Sequence, residues 1–310
     1  MKTIVAYVNQ TGTDKAEFYP FHTEAPTVRF RFLAEALADR GAELVLAVKG
    51  SYLGSARFRN VIRFTDGKWT KTTESVRASV IFIKSRGLVQ DIEMPKRLAS
   101  HPYLESLSDD RRQLYQEMAT FMPKTFVIDA GSWSTAFKNI TTDKVILKPA
   151  LATGSRGLHV VDRESYEVDA SLFYAPYIAQ EFIDTSKGLT GFADSYYEVR
   201  LHSMNGRITA GLIRKAPQGK VITQPNKSGC VMPIPDSKIP KKVLEFAKQV
   251  DKQLSKFSPR FYAMDLLVGK DAVYLGALSS APALPEVRTE GAAYVKKFNA
   301  LLADFLLSRA

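Results

Sequence analysis

The stretch Val145-Ile146-Leu147-Lys148-Pro149-Ala150-Leu151-Ala152-Thr153-Gly154-Ser155-Arg156-Gly157-Leu158-His159-Val160-Val161 decides how the chain is read. An apolar, β-branched run ends in a lysine. A loop of small residues follows, and a second apolar run begins. In such a hairpin the backbone N–H groups of Gly154, Ser155, Arg156 and Gly157 can approach phosphate oxygens, and the glycines put no Cβ in the way. Lys148 would supply a fixed positive charge to the same phosphates. The loop leads into a strand and not a helix, so it is not a Walker loop. An ordinary glycine hairpin with a solvated lysine is the competing reading.

Three later segments carry further chemistry. Tyr177-Ile178-Ala179-Gln180-Glu181-Phe182-Ile183-Asp184 is an apolar strand running into amide and acidic groups. Its backbone can read an adenine edge, and a carboxylate can hold ribose hydroxyls; a plain sheet strand is the alternative. Tyr197-Glu198-Val199-Arg200-Leu201-His202 and Leu212-Ile213-Arg214-Lys215 flank a hairpin. Glu198 and Arg200 share one face of their strand. Arg200 and Arg214 on adjacent strands would make an anion site, unless they serve cross-strand ion pairs. Asp265 interrupts the apolar run Phe261–Val268, and a carboxylate there needs a cation or donors.

The bulk properties set limits around these segments. The 310 residues are enough for two or three lobes. The composition, 45% hydrophobic and 24% charged, is that of an ordinary globular protein. No run approaches the roughly 20 apolar residues of a membrane helix, and the apolar start at Ile4–Val8 is too short for a signal peptide. The single cysteine, Cys230, excludes an internal disulfide and points to a reducing, cytoplasmic setting. Four scattered histidines form no metal-spaced pair. The net charge of +11 suits an anionic partner. No dense basic run interleaved with aromatics appears, which argues against nucleic acid.

Along the chain, strands are expected at Thr3–Val8, Glu43–Val48 and Val80–Lys84, with a helix over Val28–Arg40 and a loop over Glu17–Pro26. Their alternation predicts a parallel α/β layer. A helix is expected over Ser108–Met122, capped by Ser108 and stopped by Pro123. A short strand at Thr125–Asp129 follows. Beyond it the pattern is mainly strands, at 144–148, 157–161, 177–182, 196–204, 207–214, 262–268 and 272–278, with helices near 134–140, 240–257 and 293–308. Asn205-Gly206 and Gly269-Lys270-Asp271 predict hairpin turns and antiparallel pairing.

Taken in order, these segments resemble the ATP-grasp superfamily, nearest its glutathione-synthetase and ribosomal-protein-glutamate-ligase branch. The resemblance covers roughly residues 108–285. It implies an α/β N-terminal lobe over 1–107, a small lobe with a glycine-rich lid over 108–183, and a C-terminal α+β lobe over 184–310. ATP would lie between the last two. Ser108–Arg112 followed by Met122-Pro123-Lys124-Thr125 resembles the fold's opening motif, with Arg111 or Arg112 where lysine is usual. Lys148 and Gly154–Gly157 match the lysine and lid, and Gln180, Glu181, Phe182, Ile183 and Asp184 the hinge. Glu198-Val199-Arg200, Arg214 and Asn226 match later motifs. The implied reaction is ADP-forming ligation of a carboxylate to an amine through an acyl-phosphate. ATP and Mg2+ would be cofactors, an amino acid or peptide a substrate, and a homo-oligomer a compatible state.

One departure stands out. The family closes its metal site with a glutamate and an asparagine, and the matching positions here are Ala277 and Ser279. Asp265 remains as the expected ligand. Three accounts stay open: an introduced Glu→Ala substitution, a natural non-catalytic ATP binder, or completion of the site by Glu286 or Glu290.

Overall fold

The computed structural model describes residues 1–13, 17–93, 95–151, 157–164, 175–187, 189, 195–223 and 230–310. The chain begins with β1 (Lys2–Val8), α1 (Glu24–Ala38), β2 (Ala42–Val48), β3 (Arg57–Phe58), β4 (Val61–Thr65), β5 (Lys68–Thr72), β6 (Val76–Arg77) and β7 (Val80–Ile83). It continues through α2 (Tyr103–Asp109), α3 (Arg111–Met118), β8 (Thr125–Ile128), α4 (Trp133–Asn139), β9 (Lys144–Pro149), β10 (His159–Asp162) and β11 (Tyr177–Glu181). It closes with β12 (Tyr197–Met204), β13 (Arg207–Lys215), β14 (Cys230–Ile234), α5 (Lys241–Gln253), β15 (Phe261–Val268), β16 (Val273–Ser279), α6 (Val287–Glu290) and α7 (Ala292–Leu307).

Two compact units result. One comprises Met1–Glu105, Phe257–Tyr262 and Ser280–Ala310; the other comprises Ser106–Lys256 and Ala263–Ser279. The expected third segment, 184–310, is therefore divided between them.

The first unit is built on a sheet of order β5-β4-β2-β1-β7. β1 runs parallel to both β2 and β7. Every residue from Ile4 to Val8 is buried, as a central parallel strand covered on both faces requires. In α1, Phe30, Leu33, Ala34 and Leu37 are buried at helical spacing, and α7 packs against the helix. α1 starts at Glu24, four residues ahead of the expected start, so Pro26 lies in its first turn. There the missing N–H costs nothing. The β4–β5 hairpin and the short β3–β6 pair were not legible. Polar residues dominate β5, and Asp66 and Gly67 turn it with positive φ of 51° and 75°.

The second unit holds an antiparallel sheet, β10-β9-β11-β8, and a second sheet, β14-β13-β12-β15-β16, in which β12–β13, β13–β14 and β15–β16 pair antiparallel. Asn205 and Gly206 turn β12 into β13 at φ of 50° and 91°, as expected of this pair. The helix expected over Ser108–Met122 is instead two. The break is at Asp110, which bridges to Leu151, and the Asp110 side chain caps α3 by accepting from the Arg112 N–H at 2.9 Å. Ser108 is thus not the cap. It lies inside α2, and its hydroxyl donates to the Leu278 carbonyl at 3.3 Å. No helix among the described residues is long and apolar enough to cross a membrane.

Candidate functional site

The charged residues singled out in the sequence meet on one face of the five-stranded sheet. Glu198 pairs with Arg214 across β12 and β13, and Asp265 pairs with Ala277 across β15 and β16. β12 lies next to β15, and Arg200 on one meets Asp265 on the other. Arg200 grips Asp265 in a fork, Nε and Nη2 each donating to one carboxylate oxygen at 2.6 Å. Arg214 donates to Glu198 at 3.1 Å and lies 3.6 Å from Asp265. The four charges thus balance in a buried network, in which cross-strand pairing and an arginine pair coexist.

Burial alone would raise the Asp265 carboxyl. The charges of Arg200 and Arg214, with the Arg200 hydrogen bonds, outweigh it and hold the group below the usual carboxylate range. Glu198 is pushed the other way, by burial and by the Asp265 charge, against the pull of Arg214 and Arg200. Of the two acids, Glu198 therefore takes the first proton. His202 lies on the same strand, and burial lowers it to about 3. A neutral ring at physiological pH fits its Nδ1 contact with the Ala210 carbonyl at 3.0 Å.

Lys148 sits near the end of β9, almost wholly buried. Its ammonium donates to Gln180 Oε1 at 2.8 Å, Gln180 Nε2 donates to Thr125 Oγ at 2.8 Å, and that hydroxyl donates to the Pro123 carbonyl at 2.7 Å. The relay crosses three neighbouring strands, β9, β11 and β8. Burial lowers Lys148 to about 7. The Arg111 charge pushes the same way, while Glu198 and Asp265 pull it back up. Those influences bring Lys148, Arg111 and the acidic pair into one electrostatic site. Arg111 is fixed by its N–H to the Ala150 carbonyl at 3.0 Å and its guanidinium to the Pro149 carbonyl at 2.5 Å.

The remaining residues divide. Gln180 is fully buried, and its amide is engaged by Lys148 and Thr125. The hinge resemblance sets it against adenine; Thr125, its partner on the edge strand, is matched by resemblance only to the end of the fold's opening motif, with no role beside Gln180. Glu181 accepts from the Thr141 hydroxyl at 2.9 Å, and Asp184 from the Ser186 N–H and hydroxyl at 2.9 and 2.6 Å. Phe182 packs 5.8 Å from Tyr196, and the Ile183 side chain abuts Gly269. Gly157 has φ of +67°, and a Cβ there would lie 2.7 Å from the Pro149 ring, so only glycine fits. Gly154, Ser155, Arg156 and Asn226 lie outside the described residues.

The fit to magnesium is poor. Both Asp265 oxygens are taken by Arg200. The cross-strand position holds the Ala277 methyl, and Ser279 stands opposite Ala263. Magnesium favours one or two carboxylates beside phosphates and water. No group of three or more His, Cys, Asp or Glu among the described residues is placed to hold a metal. Glu286 and Glu290 are engaged in the first unit: Glu286 accepts from Arg29 at 2.5 Å, and Glu290 from the Glu286 N–H at 2.7 Å.

No protein-family model and no curated protein sequence matches the chain. Solved structures do, at low identity. The ATP-grasp ligase PsnB, in complex with a phosphomimetic variant of its minimal precursor, Mg and ADP, is 15% identical with a TM-score of 0.61, covering 100% of this chain and 99% of its own. A RimK domain protein from Sphaerobacter thermophilus DSM 20745 is 16% identical with a TM-score of 0.58, covering 98% and 99%. The VanG D-Ala:D-Ser ligase from Enterococcus faecalis is 13% identical with a TM-score of 0.63, covering 99% of both chains. Full-length likeness to three such proteins, together with the sheet order and the buried strand lysine, shows that this chain has the ATP-grasp fold.

Proposed function

We propose that the chain is an ATP-dependent ligase that joins a carboxylate to an amine. The observation that carries this reading is the buried Lys148, held by Gln180 and coupled to Arg111 and to the charged sheet face of Arg200, Arg214, Glu198 and Asp265. In this reading Lys148 and Arg111 hold phosphate oxygens of ATP, and the Gly154–Gly157 segment covers them. Gln180 positions Lys148, and backbone groups of Glu181–Asp184 with Asn226 hold the nucleoside. The substrate carboxylate takes the γ-phosphoryl group, giving an acyl-phosphate. The amine then forms the C–N bond as the C–O bond to phosphate breaks. Arg200 and Arg214 stabilise the charge that builds on the acyl centre. The protein's part is positioning and charge compensation. No step is assigned to magnesium.

A second reading, ATP binding without turnover, is favoured by one observation: the methyl of Ala277 stands opposite an Asp265 already saturated by Arg200. One experiment separates the two. ADP release is followed with a panel of amino acids and short peptides, for the chain as it stands and for Ala277→Glu with Ser279→Asn. Tight ATP binding with slow release, accelerated by the double substitution, supports the ligase class. ATP binding with no release by either protein supports the second reading. Failure of both proteins to bind ATP overturns both.

A further inference from the structure

The first unit contains a cavity that the proposed ligase chemistry does not use. It has a volume of about 420 Å3 and opens at the carboxyl ends of β1 and β2. Among the described residues its wall includes Lys49, Arg59 and Lys71 and no acidic residue. Position and chemistry both point to a ligand. In open α/β sheets the crevice outside the carboxyl ends is where molecules bind, at the strand where connections turn to opposite sides. Here that strand is β1, paired with β2 on one side and β7 on the other.

The independent observation is Ser51, which also lines the cavity. It is only 7% exposed, and its hydroxyl has no hydrogen-bond partner among the described residues. Buried hydroxyls without a partner are uncommon, because each forfeits the bonds it would make with water. The backbone around it is committed: the Ser51 N–H donates to Val48 and its carbonyl accepts from Arg59. Ser51 shares the cavity wall with three cationic residues, so the wall holds a donor without an acceptor together with positive charge. The volume lies in the range of small-molecule sites, which run from roughly 300 to 1,000 Å3.

We propose that this cavity binds a small oxyanion, a molecule bearing phosphate or clustered carboxylates, with Lys49 and Arg59 supplying charge and Ser51 a hydrogen bond. The proposal is independent of the ligase reading, since no residue of the Lys148 site enters it.

Backbone amide NMR tests it with two probes, pyrophosphate and tricarballylate. Saturable shifts at Gly50, Ser51 and Asn60, with a dissociation constant below about 1 mM, are expected for at least one probe. Response to pyrophosphate alone identifies a phosphate site, and response to tricarballylate alone a carboxylate site. Lys49→Gln with Arg59→Gln should weaken binding at least about tenfold. Ser51→Ala should also weaken it while leaving the free protein at least as stable, because an unsatisfied group is removed. Lys148→Ala should leave it unchanged. Absence of saturable shifts with either probe overturns the proposal. So does binding that survives both the charge-neutral variant and Ser51→Ala, or binding that disappears with Lys148→Ala.

Discussion

At the scale of single residues, Lys148 decides the most. Its amine is buried and titrates near 7 when the site is free. A bound phosphate would favour the ammonium form and raise that value. ATP should therefore bind best below pH 7, and its affinity should weaken as pH rises past 7, by up to about tenfold per unit. Above pH 7 binding should take up a proton. Titration calorimetry in buffers of different ionisation enthalpy reads the proton count. ATP's own ionisation contributes too, and Lys148→Arg removes that ambiguity, since guanidinium does not titrate in this range. Proton uptake equal in the two proteins would show that Lys148 does not meet the phosphates. The sequence pointed to this lysine because it closes an apolar strand ahead of a glycine loop. Resemblance reached Thr125 as the end of the opening motif, but its part in holding Gln180 is readable only once the register of β8 against β11 is known.

Among the elements, the break between α2 and α3 shows where local signals compete. Ser108, Asp109 and Asp110 are all acceptable N-caps, and sequence alone gave the first of them the role. The structure gives it to Asp110, because its backbone is drawn into the bridge with Leu151 and leaves the helical region at φ of −115° and ψ of 108°. The Asp110 carboxyl is held below its usual range, chiefly by the Arg112 hydrogen bond, with burial opposing. Asp110→Ala should lower stability by about 1 kcal/mol, and Asp110→Asn should retain most of it, since asparagine caps equally well. Denaturant unfolding compares the two. Equal losses would mean that the pair with Arg112, and not the cap, is what matters. Longer elements were legible where one period dominated, as in β1, β2, α5 and α7. β14 was not, because Pro233 sits within it and its strand is only half-buried. The metal site shows the opposite case: Ala277 and Ser279 were found only through resemblance, and the register then placed Ala277 directly across from Asp265.

At the scale of the whole molecule, the first unit is discontinuous in sequence. Residues 280–310 belong with 1–105, an arrangement no local pattern could disclose, since it depends on contacts between residues more than two hundred positions apart. α7 supplies the reason. Val295, Phe298, Leu302, Ala303 and Leu306 are buried along one side of it, and the helix packs against α1. Arg40 adds an ion pair to Asp304 at 2.6 Å, but Asp304 is more than half exposed, so that pair contributes little. The weight lies in the apolar face. Burying a large aliphatic or aromatic side chain stabilises by about 1.5–3 kcal/mol, so the four large residues of this face together reach about 6–12 kcal/mol. That matches the whole stability of a typical domain, about 5–15 kcal/mol. A chain ended after Ser279 should therefore lose the first unit's cooperative fold. The second unit keeps its own sheets and α5, whose Val243, Ala247 and Val250 are buried and which packs against β13 and β16 of the same unit. Hydrogen exchange of the shortened chain should thus show β1 and β2 unprotected while β12 and β13 stay protected. Continued protection of β1 would mean that the sheet of the first unit stands without α7. Loss of protection in β12 as well would mean that the two units fold as one.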